Sequence, residues 1–410
     1  MPRLSQDPAN LAPFIATPAA NTQARRVQTA NTTANRPSTS VREVGNETLV
    51  GISFDPSTVA ISVEANLVNA RLLSIFSNYN PSSTFSSKKL QDMLGYADVD
   101  VLMMQRNVAR DTWLQSVYVR QAAVGSYRMA ASTTAAATET FDLASDNKTA
   151  FEKFVQVDNL TATSASQTAF TISATPIALT RGQLSGNKLI SAAFAQPSGS
   201  STYMLETDDY TVSGTTVTLV NTDQIAQVVS GTQFLFAFQK SSTPGGDNFQ
   251  AKDTTSPASI LGYYHIPVTI TANATGMQAR GVQSVEATMD FKQQREVGMG
   301  SQAVGTYRDI PADVTGNFTI WQENYTAEKL MIAGATSPTD LDFPLEGFRD
   351  DIVLKLEFKH PQTHQVLRID TLSGLTITGD AKNVAVGQQV GKQYTFAAST
   401  GFSWYVDKLV

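Results

Sequence analysis

Two stretches of this 410-residue chain, about 240 residues apart, carry one pattern, and that limits the fold more than any other feature. The first runs Ser87-Lys88-Lys89-Leu90-Gln91-Asp92-Met93-Leu94-Gly95, continues through apolar-rich runs at 99–105 and 113–119, and closes on Thr138-Glu139-Thr140-Phe141-Asp142-Leu143. The second runs Thr326-Ala327-Glu328-Lys329-Leu330-Met331-Ile332-Ala333-Gly334, continues through runs at 352–358 and 366–372, and closes on Gln393-Tyr394-Thr395-Phe396. Lys89 matches Lys329 (329 − 89 = 240) and Phe141 matches Phe396 (396 − 141 = 255), so the order of elements is kept while loop length differs. Long-period self-similarity is the mark of stacked or repeated units. A duplicated β domain points to a builder of rings or arrays before it points to a catalyst.

Charged residues make up 16% of the chain, against about 25% in an average globular protein. Ser, Thr, Asn, Gln and Ala fill the gap. Such a surface suits either a chain buried in an assembly or an extracellular β protein. The net charge of −6 argues against tight nucleic-acid binding, which draws its affinity from Lys and Arg on phosphate. With no Cys in the chain, disulfides, thiolate catalysis and Cys-ligated zinc are all excluded. No apolar run reaches about 18 residues, so no membrane span is expected, and the N-terminus has no apolar core of a signal peptide.

Five segments follow from local pattern. Residues 1–45 are poor in large apolar side chains and read as an extended N-terminal arm, either disordered or docked on a neighbour, with Arg25 and Arg26 as candidate contacts. Residues 46–150 form a first β domain: an alternating strand at 58–68, a short helix capped by Ser86 or Ser87 and ending at Gly95, then strands near 99–106, 113–120, 124–132 and 137–143. Residues 151–250 break the pattern and read as an inserted small β-sandwich, with a hairpin turning at Ser213-Gly214 and a core strand carrying Phe234, Phe236 and Phe238. Residues 251–400 hold the second copy, and 401–410 a C-terminal tail. The fold class is mainly β: two β-sandwich or barrel domains, each with a short helix, plus the inserted small β-sandwich and the extended N-terminal arm.

In the second copy, 283–292 alternates Val285, Ala287, Met289 and Phe291 against Glu286, Thr288, Asp290 and Lys292. The chain returns as Val314–Trp321, which predicts a long hairpin. Strands with core-facing Ile352, Leu354, Leu356 and Phe358, then Leu367 and Ile369, then Leu375 and Ile377, complete the copy.

The ordered set Arg280-Gly281-Val282-Gln283-Ser284-Val285, Arg295-Glu296-Val297-Gly298, Tyr307-Arg308-Asp309-Ile310-Pro311-Ala312-Asp313-Val314-Thr315-Gly316-Asn317-Phe318-Thr319, the helix at 328–334, the hairpin at 354–370 and the closing 394–399 resembles the tail tube proteins of long-tailed bacteriophages. The resemblance covers about 145 residues of the second copy and the first copy more loosely, since the first lacks the Arg-Asp-x-Pro stretch and its hairpin region, 58–85, reads as shorter. It implies a β-sandwich flanked by a helix, whose long hairpin joins those of neighbours into a barrel lining a channel. It also implies rings that stack into a tube for viral DNA, which passes without specific binding. Two domains per chain then imply trimeric, pseudo-sixfold rings. Glu286, Thr288, Asp290 and Lys292 become candidate channel-facing residues. Arg295, Tyr307, Arg308, Asp309, Arg25, Arg26 and Trp404 become candidate inter-subunit or inter-ring residues. The implied partners are the chain itself and other phage tail proteins, in a virion assembled in the host cytoplasm, with no cofactor and no membrane.

Chemistry-bearing residues are few. His360 and His364 are four apart, but Pro361 excludes the helix that would align them, so they belong to a hairpin loop. Asp208-Asp209 begins a turn, and Asp350-Asp351 flanks a strand. No nucleophile elbow and no phosphate-cradling Gly-rich loop is present, so neither a catalytic nor a metal site is expected. Phe402, Trp404 and Tyr405 either anchor on the next ring or pack on their own domain. The competing expectation is a β-sandwich that binds glycan or host receptor, or decorates a virion, with 151–250 as the binding part; a cluster of exposed aromatics there would support it.

Overall fold

A computed structural model describes the chain from residue 11 to 407 with gaps, the longest at 78–86, 241–265, 322–330, 332–348 and 384–390. The chain begins with β1 (Leu11–Ala16), β2 (Asn21–Gln23), β3 (Val27–Asn35), β4 (Ser38–Arg42), β5 (Leu49–Phe54) and β6 (Thr58–Asn66). Helix α1 (Arg71–Phe76), β7 (Lys88–Lys89), α2 (Leu90–Leu94), β8 (Asp98–Arg106), β9 (Trp113–Ser132), β10 (Thr138–Ser145) and β11 (Lys148–Phe151) follow. Next come β12 (Val155–Thr161), β13 (Ala169–Thr171), β14 (Leu189–Ala195), β15 (Tyr203–Met204), β16 (Tyr210–Ser213), β17 (Thr216–Leu219), α3 (Thr222–Gln227) and β18 (Gln233–Gln239). The last group is β19 (Val268–Ala272), β20 (Thr275–Gln278), β21 (Val282–Asp290), β22 (Gln294–Val297), β23 (Val304–Tyr307), β24 (Asp313–Trp321), β25 (Ile352–Lys359), β26 (Val366–Asn383) and β27 (Gly391–Asp407).

Sixteen of these strands form one antiparallel sheet. Following hydrogen-bonded neighbours gives β2-β1-β8-β9-β10-β6-β3 in the first part of the chain. In the last part it gives β20-β19-β25-β26-β27-β24-β21. The two runs join where β21 pairs with the second half of β9, from Ser284↔Ser132 to Asp290↔Ser126. Hairpins β4–β5 and β22–β23 sit at the tips of β3–β6 and β21–β24.

Period-2 alternation explains the layers. In β6, β21 and β25 alternate residues are buried, and helices α1 and α2 add Leu73, Phe76, Leu90 and Met93 to the same core. One apolar cluster takes in Val63, Tyr127 and Phe141 together with Met289, Phe318, Leu354, Phe396 and Trp404. The core therefore runs unbroken through both runs of strands.

Residues 155–239 fold as two small sheets, β12-β18-β14-β15 and β13-β17-β16. Phe170, Phe194, Phe234, Phe236 and Phe238 pack between them. Val155, Val157 and Leu235 lie instead against Phe14, Leu102 and Tyr118 of the main sheet. The hairpin expected at Ser213-Gly214 is present, with Gly214 at φ +57 where the turn needs a left-handed residue.

Several expectations change. Residues 1–45 pointed to an extended arm, yet β1 pairs with β8 and β3 with β6, inside the main sheet. The hairpin at the start of the first domain is thus β3–β6, not a shortened 58–85 segment. Strands expected separately at 113–120 and 124–132 are one strand, β9, bent at Gln121. Its φ of +53 is held by the Asp100 carboxylate, which accepts from the Gln121 N–H at 2.8 Å and from the Tyr118 hydroxyl at 2.5 Å. Ser87 does not cap α2, and Ser86 lies outside the described residues. Lys88 and Lys89 pair with β27, so the helix starts at Leu90, and Gly95 ends it in a right-handed rather than left-handed conformation. The expected C-terminal tail is, as far as Asp407, the end of β27, and Trp404 is only 1% exposed. Packed on Tyr127 with ring centroids 5.5 Å apart, Trp404 is not available to a neighbouring ring. On β26, Leu367 is buried, but the core face carries Arg368, Asp370 and Leu372, leaving Ile369 half-buried.

Candidate functional site

The eight strands β3-β6-β10-β9-β21-β24-β27-β26 run side by side across the junction of the two parts. One face of this ribbon is core. The register sets Asn31, Ser62, Asp142, Ser126, Asp290 and Asp313 on the other, which is dominated by Thr, Ser and Asn. Hydrogen bonds tie neighbouring strands across it: Ser62 donates to Asp142 at 2.6 Å, Ser126 to Asp142 at 2.9 Å, and Gln393 to Asn317 at 3.2 Å. Five carboxylates (Glu64, Asp142, Glu286, Asp290, Asp313) share this face with Arg128, which pairs with Glu286 at 2.8 Å.

Of the expected channel-facing residues, Glu286, Thr288 and Asp290 do lie on this face, against buried Val285, Ala287 and Met289. Lys292 follows Phe291 beyond the end of the strand, exposed at φ +45 and paired with Asp313. Arg295 and Tyr307 belong to the tip hairpin β22–β23, with Gln294 opposite Tyr307 and Arg295 opposite Thr306. Arg25, Arg26, Arg308 and Asp309 lie outside the described residues.

Beneath the ribbon lies a group that sequence reasoning missed. Arg368 is wholly buried and donates twice to Asp370, at 2.6 and 2.7 Å. It also donates to the Tyr127 hydroxyl at 2.9 Å and approaches Glu139 at 3.4 Å. Its guanidinium lies over the rings of Tyr127 and Phe358. Burial pushes the Glu139 carboxyl up to about 7, with Arg368 opposing the shift, and burial likewise pushes the Tyr127 phenol up. The group links β9 and β10 to β26, and with no solvent access it has no route to a substrate. The one available signal was Arg368-x-Asp370 at strand period, which reads equally well as an outward ion pair.

The other candidates are structural. Nδ1 of His360 accepts from the Gln362 and Thr363 N–H groups at 3.2 Å, and His364 has φ +55, as the loop between β25 and β26 requires. Asp209 accepts from the Glu206 N–H at 2.8 Å and from Asn221 at 2.6 Å, closing a turn. Among the described residues no three His, Cys, Asp or Glu gather as a metal site, and no helix is long and apolar enough to cross a membrane. The aromatics of 155–239 are interior, apart from Tyr203 at 37% exposed, which stacks on Phe194.

The fold and this face define a mainly β protein built on one large antiparallel sheet with a polar, carboxylate-rich surface. No family model and no curated protein matches the chain. Among solved structures, a chain of the cryo-EM structure of the anti-feeding prophage (AFP) baseplate, 6-fold symmetrised, is similar at 13% identity and a TM-score of 0.26, over 37% of this chain and 96% of that one. So slight a likeness leaves the function to be argued from geometry.

Proposed function

We propose that the chain is a structural subunit of a phage-tail-type tube, in which two tube domains are fused in tandem and three chains close a pseudo-sixfold ring. The observation that carries this reading is the eight-strand ribbon: apolar on one face, Thr/Ser/Asn with excess carboxylate on the other, and, among the described residues, with no strand along the outer edge of β3 or of β26 over 376–383. Curled about an axis with its polar face inward, it makes the wall of a conduit. Five carboxylates against two paired cations, Arg128 and Lys292, leave an excess of negative charge that repels a phosphate backbone over a Debye length of about 8 Å, and among the described residues few cations face it to slow its sliding.

The tandem reading is supported by the two strand runs, which list corresponding members in the same order. It is supported again by irregularities. Val99–Ala122 and Ile352–Leu375 are paired positions 253 residues apart (352 − 99 = 253), each beside a register shift. Gln121 and Gly374, also 253 apart, both have positive φ, at 53° and 71°. A second shift follows in each, beside Val124 in β9 and Ile377 in β26. Bulges placed alike in two strands argue for common descent of the two runs, because a bulge fixes strand bend and facing. On this reading the 155–239 module, packed on the β1 and β8 side, stands outside the tube, and rings stack with other tail proteins in a virion assembled in the host cytoplasm.

The test is negative-stain imaging of the purified chain at high concentration, with mass measurement of soluble rings. Tubes or stacked rings of three chains are expected. Persistent monomers, or rings of six full chains, would overturn the tandem-ring reading.

A further inference from the structure

We propose that the open edge of β3 in one copy of the chain pairs with the open end of β26, residues 376–383, in the next copy, in the register that β21 and β9 use inside each chain. This rests on the tandem reading and specifies its seam.

In the two strand runs, β3 holds the place of β21, and β26 the place of β9. β21 pairs with β24 on one side and with β9 on the other; β3 pairs with β6 and, among the described residues, no strand lies on its outer edge. β9 pairs with β10 and β21 over 126–130; over 376–383, β26 pairs, among the described residues, with β27 alone, because β25 begins at Ile352, opposite Leu375. Among the described residues, each strand thus lacks the neighbour that the other could supply. Thr32 shows that the β3 edge points outward: its carbonyl and hydroxyl are met by the Lys148 ammonium at 3.4 and 2.9 Å rather than by a strand. Paired edges of this length are rarely left open in a folded protein. The two edges differ and lie at opposite ends of one ribbon, so their pairing is heterologous and closes when the rotation per chain divides a circle.

The register follows from the internal seam. β3 aligns with β21 at an offset of 255, since Asn35↔Thr58 and Asp290↔Asp313 end the two hairpins (290 − 35 = 255), and β26 aligns with β9 at 253. The internal pair Thr288↔Arg128 therefore becomes Thr33↔Ala381 between chains, and Asp290↔Ser126 becomes Asn35↔Gly379. Facing is preserved, because Thr33 and Ala381 are both exposed and both lie on the polar side of the ribbon.

The chain has no Cys, so engineered pairs are clean probes. Directly opposed residues in antiparallel strands lie about 4.5–5.5 Å apart at Cα, within disulfide reach. With copper–phenanthroline as oxidant, Thr33→Cys/Ala381→Cys should give covalent dimers and a limiting trimer on a non-reducing gel. A mixture of the two single variants should stop at dimers. The slipped pair Asn31→Cys/Ala381→Cys should give roughly tenfold less product, since a slip changes every partner. Thr288→Cys/Arg128→Cys should close within the chain, and its thiol count verifies folding and oxidation. Loss of intermolecular product from Thr33→Cys/Ala381→Cys while that internal pair closes would overturn the inference. So would dimers from Thr33→Cys alone, or equal yield from the slipped pair. Tubes by microscopy without this cross-link would refute the seam and leave the tube; the cross-link without rings or tubes would do the reverse.

Discussion

The covered seam at β9 and the uncovered end of β26 are occupied by opposite kinds of side chain. At the seam, β9 turns Tyr127 and Met129 inward, both wholly buried, and Arg368 reaches in from β26 to meet Tyr127 and Glu139. At the end of β26, Asp380 and Lys382 are exposed, and Asp380 pairs with Lys392 at 2.7 Å, whose ammonium lies 5.2 Å from the Tyr394 ring. A strand with neighbours on both sides can bury a charge only by supplying every partner. A strand with one side open keeps charge at its end, and charge there discourages random pairing. The same architecture thus carries a fixed polar lock where it is closed and a solvated ion pair where it is open.

The strongest way to break this comparison is to remove Arg368. Arg368→Ala leaves Asp370 buried without its bidentate partner, and removing one member of a buried pair costs about 3–5 kcal/mol. Urea unfolding followed by circular dichroism should show that loss. The double variant Arg368→Met/Asp370→Leu should recover much of it, because an apolar replacement leaves no stranded charge. A loss under about 1 kcal/mol for Arg368→Ala would mean the seam does not depend on this group.

The same group gives the seam a pH dependence. Glu139 has its folded-state value raised to about 7 by burial, against about 4.3 for a free Glu. The folded state therefore holds this proton more tightly than the unfolded state. The stabilisation is full below about pH 4.3 and is lost as pH rises through about 7, an effect on the order of 3–4 kcal/mol. Glu139→Gln should flatten stability between those limits; an unchanged pH profile would show that Glu139 is not the titrating group.

These residues show where the sequence was legible. The alternation in β6, β21, β24 and β25 marks strands because one face meets a continuous core and the other meets water. β3 was hidden because its sequence, Val-Gln-Thr-Ala-Asn-Thr-Thr-Ala-Asn, carries no apolar period; it is a strand through backbone pairing with β6. The sequence pattern divides β9 and β26 into shorter pieces, because Gln121 and Gly374 mark bends that continue the strand instead of ending it. The polar face was legible at Glu286, Thr288 and Asp290, but the Arg368 group was not, since strand periodicity cannot tell a satisfied buried charge from an exposed one.

Gly316 tests the closeness of strands on the second side of the seam. A Cβ there would meet the Glu286 carbonyl oxygen and the Phe396 ring. Backbone on one side cannot yield, so Gly316→Ala should cost about 1–3 kcal/mol, read as a lower urea midpoint with an unchanged slope. Gly391→Ala, on the neighbouring strand, meets only the Thr319 methyl at 3.4 Å and should cost much less. Equal losses would mean that β21, β24 and β27 are not packed as tightly as the register implies.

The smallest effect is expected at the open end. Asp380→Ala removes the carboxylate that pairs with Lys392, but Asp380 is 32% exposed on its side chain, and Lys392 keeps its place over Tyr394. Water replaces the lost partner, so dispersed protein should lose about 1 kcal/mol or less. Raising salt should shrink even that difference, since the pair is screened where the Arg368 group is not. If Asp380→Ala proved as damaging as Arg368→Ala in dilute solution, the two ends would be equally closed, and the contrast between a locked seam and an open edge would fail.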